Sequence, residues 1–463
     1  MRFTKFGKAL CMGALSAALI FGIGSCVESY SVGYLYVTGN VTAQSGNDGI
    51  VTGYKIDHNT GRLARINGLP VASGGANPVR AVLTLGSRFL YVLNRGVNGS
   101  GNGNCYGTGA NACANSNITL FAVGGNGILT PQETFFTQGI NPFRMIVDST
   151  GSYLLVLDHD APDNVTPSST DNCALALGAG VTTCSDVTVF KIDSTTGRLS
   201  VVVNAQVTAN GGQPITYFPI PANPVDFVLS GGYLLTLTSA PTPTSFPYTN
   251  GTAVWPSSYS STSGQLTLSE NSTQPLNIHG GNAIVSAGGV IYVLDNEPIS
   301  ITTTTGTTTT TTTSAGQILP YTVGTGGSLA AEPSGIVPDA PALANPIQLL
   351  VESKGKYIYV ANQGNNITGP NPESGIVGYA LFTTPSFQLQ YLNSGNSFGS
   401  GSGPQCIVED PSDQYIYEAN QYDSTITGRV LEPETGDLDD LRTTDTYALQ
   451  GQPSWCLVDG RTG

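Results

Sequence analysis

The chain has 463 residues, of which only 10% are charged, and 17 Lys and Arg stand against 31 Asp and Glu for a formal net charge of −14. That balance disfavours binding through a phosphate backbone, so no nucleic-acid partner is expected. The length admits two or three average domains or one large all-β ring, and a surface made polar by Gly, Ser, Thr and Asn rather than by charge has an extracytoplasmic character.

In chain order, Met1, Arg2, Lys5 and Lys8 precede an apolar stretch from Ala9 to Ile23, followed by Gly24, Ser25 and Cys26. A positive start, a short hydrophobic core and small residues make a signal peptide rather than a membrane span. Ile23-Gly24-Ser25-Cys26 resembles the bacterial lipobox. The resemblance implies that residues 1–25 are removed, that Cys26 is lipidated, that residues 26–33 form a tether, and that residues 34–463 are the body. The expected membrane contact is through the lipid anchor alone, on the periplasmic side of the outer membrane or at the cell surface. No later apolar run is long enough to span a bilayer.

One phrase then recurs: an aromatic or Val, two apolar residues, usually Val, and soon Asn or Asp. It stands at Tyr34 to Val37, Phe89 to Val92, Tyr153 to Val156, Tyr233 to Thr236, Val290 to Val293, Tyr357 to Val360 and Tyr415 to Glu418, seven copies in all. Ahead of it runs an apolar strand usually opened by proline, as in Pro78 to Thr84, Pro142 to Asp148, Pro224 to Ser230, Pro346 to Glu352 and Pro404 to Asp410. Behind it come a third strand, such as Val187 to Asp193, a turn such as Ser194 to Leu199, and a fourth strand. Four strands per unit repeated around a ring predict an all-β, seven-bladed β-propeller. The phrase opens the chain, and a proline-led strand, Pro453 to Asp459, ends it. The C-terminal inner strand therefore joins the N-terminal blade and closes the ring, hiding two sheet edges.

In such a ring, the turns before and after each phrase lie on opposite faces. The turn leading into the phrase is tight, whereas insertions crowd the other face: residues 95–116, 159–185, 239–251 and 296–316, with long connections at 208–223 and 395–403. Elaborated loops on a rigid scaffold are where binding resides. The run from Ile301 to Ser314 is almost all threonine and reads as a mobile, low-complexity excursion. The tether of Val27 to Gly33 reaches about 23 Å at most and attaches at the tight-turn face, so the long loops are expected to point away from the membrane.

Eight cysteines are present. Beyond Cys11 and Cys26, six remain, an even number that suits an oxidising compartment. Cys105 with Cys113 and Cys173 with Cys184 read as local loop staples, and their spacing matches no zinc site. Cys406 lies two residues after Pro404 and Cys456 three after Pro453. An offset of one places the two sulfurs on opposite blade faces, so a Cys406–Cys456 bridge between ring neighbours competes with two buried thiols.

Two positions after the opening proline stand Arg80, Arg144, Asp226 and Gln348, expected at the channel mouth. They serve either a carboxylate or phosphate ligand or salt bridges between blades. At the ends of the phrase strands, Asn94, Asp158, Asp295, Asn362 and Asn420 read mostly as turn caps. Asp158-His159-Asp160, with Asp163 close by, is an acid–base pair or a metal-binding group, or else a solvated turn. His58 and His279 lie in or near turns and read as surface residues.

The repeat resembles the lactonase-like seven-bladed propellers, which include phosphogluconolactonases and carboxymuconate-lactonizing enzymes, and the related YVTN surface-layer repeats, over residues 33–460. In that family a His-Pro-His phrase opens one inner strand. Asn141-Pro142-Phe143-Arg144 stands there instead, so both histidines are replaced, while Asp158 matches the family's aspartate after the next strand. The resemblance implies a lactone hydrolase acting on sugar lactones, with Arg144, Asp158 and His159 as candidate catalytic residues. The loss of the histidines favours a cell-envelope binding scaffold, a monomer without cofactor or metal, whose long-loop face takes a small molecule, a glycan or a protein.

Overall fold

The computed structural model describes residues 30–41, 49–97, 113–162, 172–209, 212–240, 251–268, 274–276, 278, 280–305, 307–332, 337–338, 343–366, 370–383, 387–442 and 444–460. Its strands form seven antiparallel sheets of four or five strands and one two-stranded hairpin. The inner strands of blades 1 to 7 are Gln452–Asp459, Pro78–Leu83, Ile140–Val147, Pro224–Ser230, Gly281–Ala287, Pro346–Val351 and Pro404–Glu409. Each touches the next, and the seventh touches the first. Blade 1 is closed across the termini, with Tyr34 opposite Asp459 and Asn40 opposite Gln452. The seven-bladed ring and its closure thus match the repeat.

The recurring phrase carries no polar face because both faces of each second strand are buried. Leu35 and Val37 pack with Tyr415, Tyr417 and Ile426 of blade 7, whereas Tyr34 and Tyr36 pack with Leu90, Val92 and Phe121 of blade 2. Alternation along a strand thus serves two neighbouring blades rather than core and solvent.

The tyrosines add a directed link. Tyr36, Tyr91, Tyr359 and Tyr417 are buried, and their hydroxyls donate to the carbonyls of Gly127, Gly197, Gly436 and Gly61 at 2.8, 2.6, 2.7 and 2.6 Å. Each acceptor lies in the turn between third and outer strands of the next blade. Such a bond gives each amphipathic ring a partner for its polar tip. At Gly61, φ is +65° and an added Cβ would come within 2.4 Å of the Tyr415 ring, so only glycine allows the tyrosine to close over the turn.

Asparagine before proline sets the start of four inner strands. Asn77, Asn141, Asn223 and Asn345 all have φ between 51 and 60°, a left-handed conformation asparagine tolerates better than most residues. One residue later every inner strand has a bulge: Pro78 opposes Asn94 but Arg80 opposes Leu93, and the same skip occurs in the other six blades. Bulges re-aim side chains, and here they do so at the channel mouth.

Two expectations need correction. The threonine run is not an irregular excursion: Ile299–Thr305 pairs with Thr308–Ser314 residue by residue, because β-branched residues suit an extended backbone. Asp158-His159-Asp160 is not a solvated turn either. The second strand of blade 3 continues to Asp160, and Asp158 is fully buried. The end-of-strand polar residues are all buried: Asn94 donates across to Asn117 and Thr119 and Asn420 to Thr425 and Thr427, whereas Asp295 caps its turn by accepting from the Glu297 amide.

Two disulfides are fully described, Cys173–Cys184 and Cys406–Cys456, the latter tying the inner strands of blades 7 and 1. Cys113 is also disulfide-bonded, while Cys105, Asp163, His279 and Cys26 lie outside the described residues. Before the first strand, the Tyr30 ring stacks on His58 with centroids 4.5 Å apart. The chain thus enters the propeller at the tight-turn face.

Candidate functional site

A cavity of about 750 Å³ occupies the channel, and all seven inner strands contribute to its wall. That volume is typical of small-molecule sites. Asn40, Asn77, Arg95 and Gln421 rim it at the long-loop end, and Val82, Ile146, Val228 and Val285 line it further in. The candidate ligand-binding set of Arg80, Arg144, Asp226 and Gln348 comes together here, each at the position the bulge turns inward.

The same positions also knit the blades. Asp226 accepts from the Ile284 amide at 3.1 Å and Gln348 from the Ile407 amide at 3.0 Å, two equivalent contacts from one blade to the next. One position earlier, Asn282 donates to the Pro346 carbonyl at 3.1 Å and Ser454 to that of Pro78. The two readings of the polar set, ligand contact and inter-blade bridging, therefore share residues.

The wall is electrically lopsided. Asp226 Oδ1 lies 3.2 Å from Arg144 Nε and 3.6 Å from Arg80 Nη2, and Arg95 is a third cation on the same wall. Asp226 is the only carboxylate among the described lining residues. Burial first, then the charge of Arg144, pushes Arg80 down to about 9 despite Asp226. Burial and Arg144 likewise hold Arg95 below the ordinary guanidinium range, against the pull of Asp160. Arg95 Nε has no hydrogen-bond partner. Three desolvated cations near two carboxylates, Asp226 on the wall and Asp160 beside Arg95, favour a further anion. Trp455 flattens the wall, with the Arg80 guanidinium 3.6 Å above its ring, a cation–π contact.

Across the channel the wall is neutral. Gln363 donates to the side-chain oxygens of Gln405 and Gln421 at 2.6 and 3.0 Å. Both lining amides are thereby turned so that their NH2 groups remain for the cavity, as donors suited to hydroxyl or carboxylate oxygens.

The candidate catalytic residues are not all in one place. Arg144 lines the cavity, whereas Asp158 and His159 do not. Asp158 is buried opposite Asp186. His159 meets Asp160, not Asp158, with Nδ1 3.2 Å from Oδ2, and Asn141 donates to that same oxygen at 2.8 Å. No histidine is among the described lining residues, and Asp226 is committed to two arginines and an amide.

Arg95, Trp455, Gln405 and Gln421 were not anticipated. Trp455 occupies the repeat position of Arg80, two after a proline, a signal that was available. Arg95 directly follows Asn94 at the end of its strand, the repeat position that Gln363 and Gln421 hold after Asn362 and Asn420, a second signal that was available.

Fold and site together define a propeller with a cationic, amide-rimmed channel. Residues 34–179 match the family model described as Lactonase, 7-bladed beta-propeller. No curated protein matches the sequence. Among solved structures, a candidate 6-phosphogluconolactonase from Bacteroides fragilis is 13% identical with a TM-score of 0.62, over 94% of this chain and 99% of that one. The periplasmic gluconolactonase PpgL of Pseudomonas aeruginosa is 17% identical with a TM-score of 0.61, over 92% and 99%. A protein from Lactobacillus plantarum is 13% identical with a TM-score of 0.57, over 93% and 99%. The chain thus has the seven-bladed β-propeller fold of these neighbours, and residues 34–179 resemble the lactonase propellers.

Proposed function

We propose that the propeller binds an anionic, polyhydroxylated small molecule, a sugar acid or its phosphate, at the long-loop mouth of its channel. The observation that carries this reading is the wall that Arg80, Arg95 and Arg144 line together, with Asp226 the only carboxylate among its described lining residues. The anion sits against the arginines of blades 2 and 3, and the hydroxyls reach Gln405 and Gln421. Titration of the purified chain with gluconate and 6-phosphogluconate tests it by calorimetry. Saturable binding weakened at least about tenfold by Arg144→Ala is expected, one charge-assisted contact being worth about 1.5–3 kcal/mol. Equal affinity of the wild type and Arg144→Ala would refute the reading.

A second reading, hydrolysis of a sugar lactone, is favoured by the gluconolactonase names of two structural neighbours. Arginines that stabilise a developing oxyanion fit it. The missing base counts against it, since no lining histidine is described and Asp226 is engaged. Turnover of glucono-lactone in a pH-stat, abolished by Arg144→Ala, would make this the leading reading.

The proposed setting is the cell envelope, with Cys26 lipidated and the tight-turn face toward the bilayer. The stacking of Tyr30 on His58 at that face supports the orientation. On vesicle-anchored chain, a cysteine at Thr310 should react with a bulky impermeant reagent faster than one at Gly231. Equal or reversed rates would reject the orientation.

A further inference from the structure

Every blade must end in an outer strand whose edge pairs with nothing, and such an edge templates association unless it is shortened or interrupted. Blades 1, 3, 4, 5 and 7 split that strand into two pieces of two or three residues each, such as Leu63–Arg65 with Val71–Ala72 and Leu438–Asp440 with Thr446–Ala448. The outer strand of blade 6, Gln388–Tyr391, has only four residues. In blade 2 the strand Leu129–Phe135 is longer, but it carries Pro131, Glu133 and a register shift.

The hairpin of Ile299–Thr305 and Thr308–Ser314 breaks that rule. It has seven residues in each strand, an unbroken register, no proline and no charged residue. Neither strand pairs with a third among the described residues. Thr308 to Thr311 and Thr313 are exposed, and one face carries a hydroxyl ladder, with Thr302 to Thr311 at 3.0 Å and Thr304 to Thr309 at 3.2 Å.

We infer that this hairpin is a self-association edge: the strand Thr308–Ser314 pairs antiparallel with the same strand of a second copy, making a four-stranded intermolecular sheet about a two-fold axis. Three observations select a second copy as occupant. Thr308 to Thr313 reads the same in both directions, so two-fold pairing sets threonine against threonine and repeats the hydroxyl ladder already present within the hairpin. The contact is isologous and therefore closes at a dimer. The chain as a whole carries −14 and repels its copies, whereas the hairpin is neutral and sits beyond the blades on the long-loop side, where two copies approach with least repulsion. Polar strands pair through backbone hydrogen bonds, as in strand addition to a sheet edge.

The test is the mass of the purified full chain by sedimentation equilibrium over a rising concentration series. The expected result is a shift from one chain to two. It should be lost in the double variant Thr309→Lys, Thr311→Lys, which puts like charges across the two-fold contact, and also when residues 299–314 are replaced by a short Gly-Ser turn. Melting temperature and sugar-acid binding of both variants should equal those of the wild type, which separates loss of the contact from loss of the fold. Thr311→Cys, which lies on the two-fold axis of this pairing, should form a disulfide-linked dimer under mild oxidation, and Ser194→Cys on the opposite face should not. A wild type that stays one chain throughout, a dimer that survives removal of the hairpin, or an intact mass showing modified threonines would overturn the inference.

Discussion

Replacing Asp186 by asparagine should make the protein less sensitive to rising pH. In blades 2, 3, 5 and 7, the second-strand residue opposite the start of the inner strand faces a polar residue of the third strand. The pairs are Asn94 with Asn117, Asp295 with Gln317, Asn420 with Thr425 and, in blade 3, Asp158 with Asp186. Asn94 donates to Asn117 in blade 2, but two carboxylates at that position must share a proton to do the same. Both are fully buried, and Oδ1 of each lacks a hydrogen-bond donor. Burial pushes Asp158 up from 3.8 to about 7, against hydrogen bonds from Thr137, Thr188 and Gly139. Burial, and then the charge of Asp158, raises Asp186 as well.

The sign follows from linkage. A carboxyl whose folded value is raised contributes stability that is complete below its unfolded value, near 3.8, and is lost as pH climbs through about 7. A shift of about three units, at roughly 1.4 kcal/mol each, is worth about 4 kcal/mol. Urea denaturation of the wild type should therefore weaken from about pH 4 to about pH 7 by up to that amount. Asp186→Asn removes the raised carboxyl of Asp186 and should make the slope shallower, with the burial of Asp158 keeping the remainder, whereas Asp186→Ala should destabilise at every pH by opening a cavity. Identical slopes for the wild type and Asp186→Asn would refute the shared proton.

Two further outcomes follow from the packing. Tyr417→Phe removes a 2.6 Å buried bond to the Gly61 carbonyl and should cost about 1–2 kcal/mol. Gly61→Ala should cost more, since its Cβ meets the Tyr415 ring at 2.4 Å with φ at +65°; denaturation midpoints of the two variants check the order. Cys456→Ala frees a closure whose bridge spans 50 residues and should cost about 2–4 kcal/mol. Peptide mapping without reductant should recover the Cys406–Cys456 pair from the wild type.

The number of blades and the circular closure were legible in the sequence. They depend on a period, and seven copies of one apolar phrase report the period whatever the copies touch. The closure bridge was legible in part, because identical proline-to-aspartate spacing in two strands fixed the relative faces of Cys406 and Cys456. The cationic wall was half visible: Arg80, Arg144, Asp226 and Gln348 share one repeat position, but Arg95 follows a strand end and Gln421 joins the rim only when the ring is curled. Tertiary structure alone decided three matters. The bulge beside each opening proline sets which side chain enters the channel, and a one-residue skip against a partner strand leaves no trace in either strand's own pattern. Asp158 and Asp186 lie 28 positions apart, and only the register of two strands makes them neighbours that must share a proton. The threonine run has composition without periodicity, so nothing in it marks two strands. Its pairing appears only when the ends are held at Asp295 and Gln317, paired residues of blade 5 that bring the hairpin's two strands together.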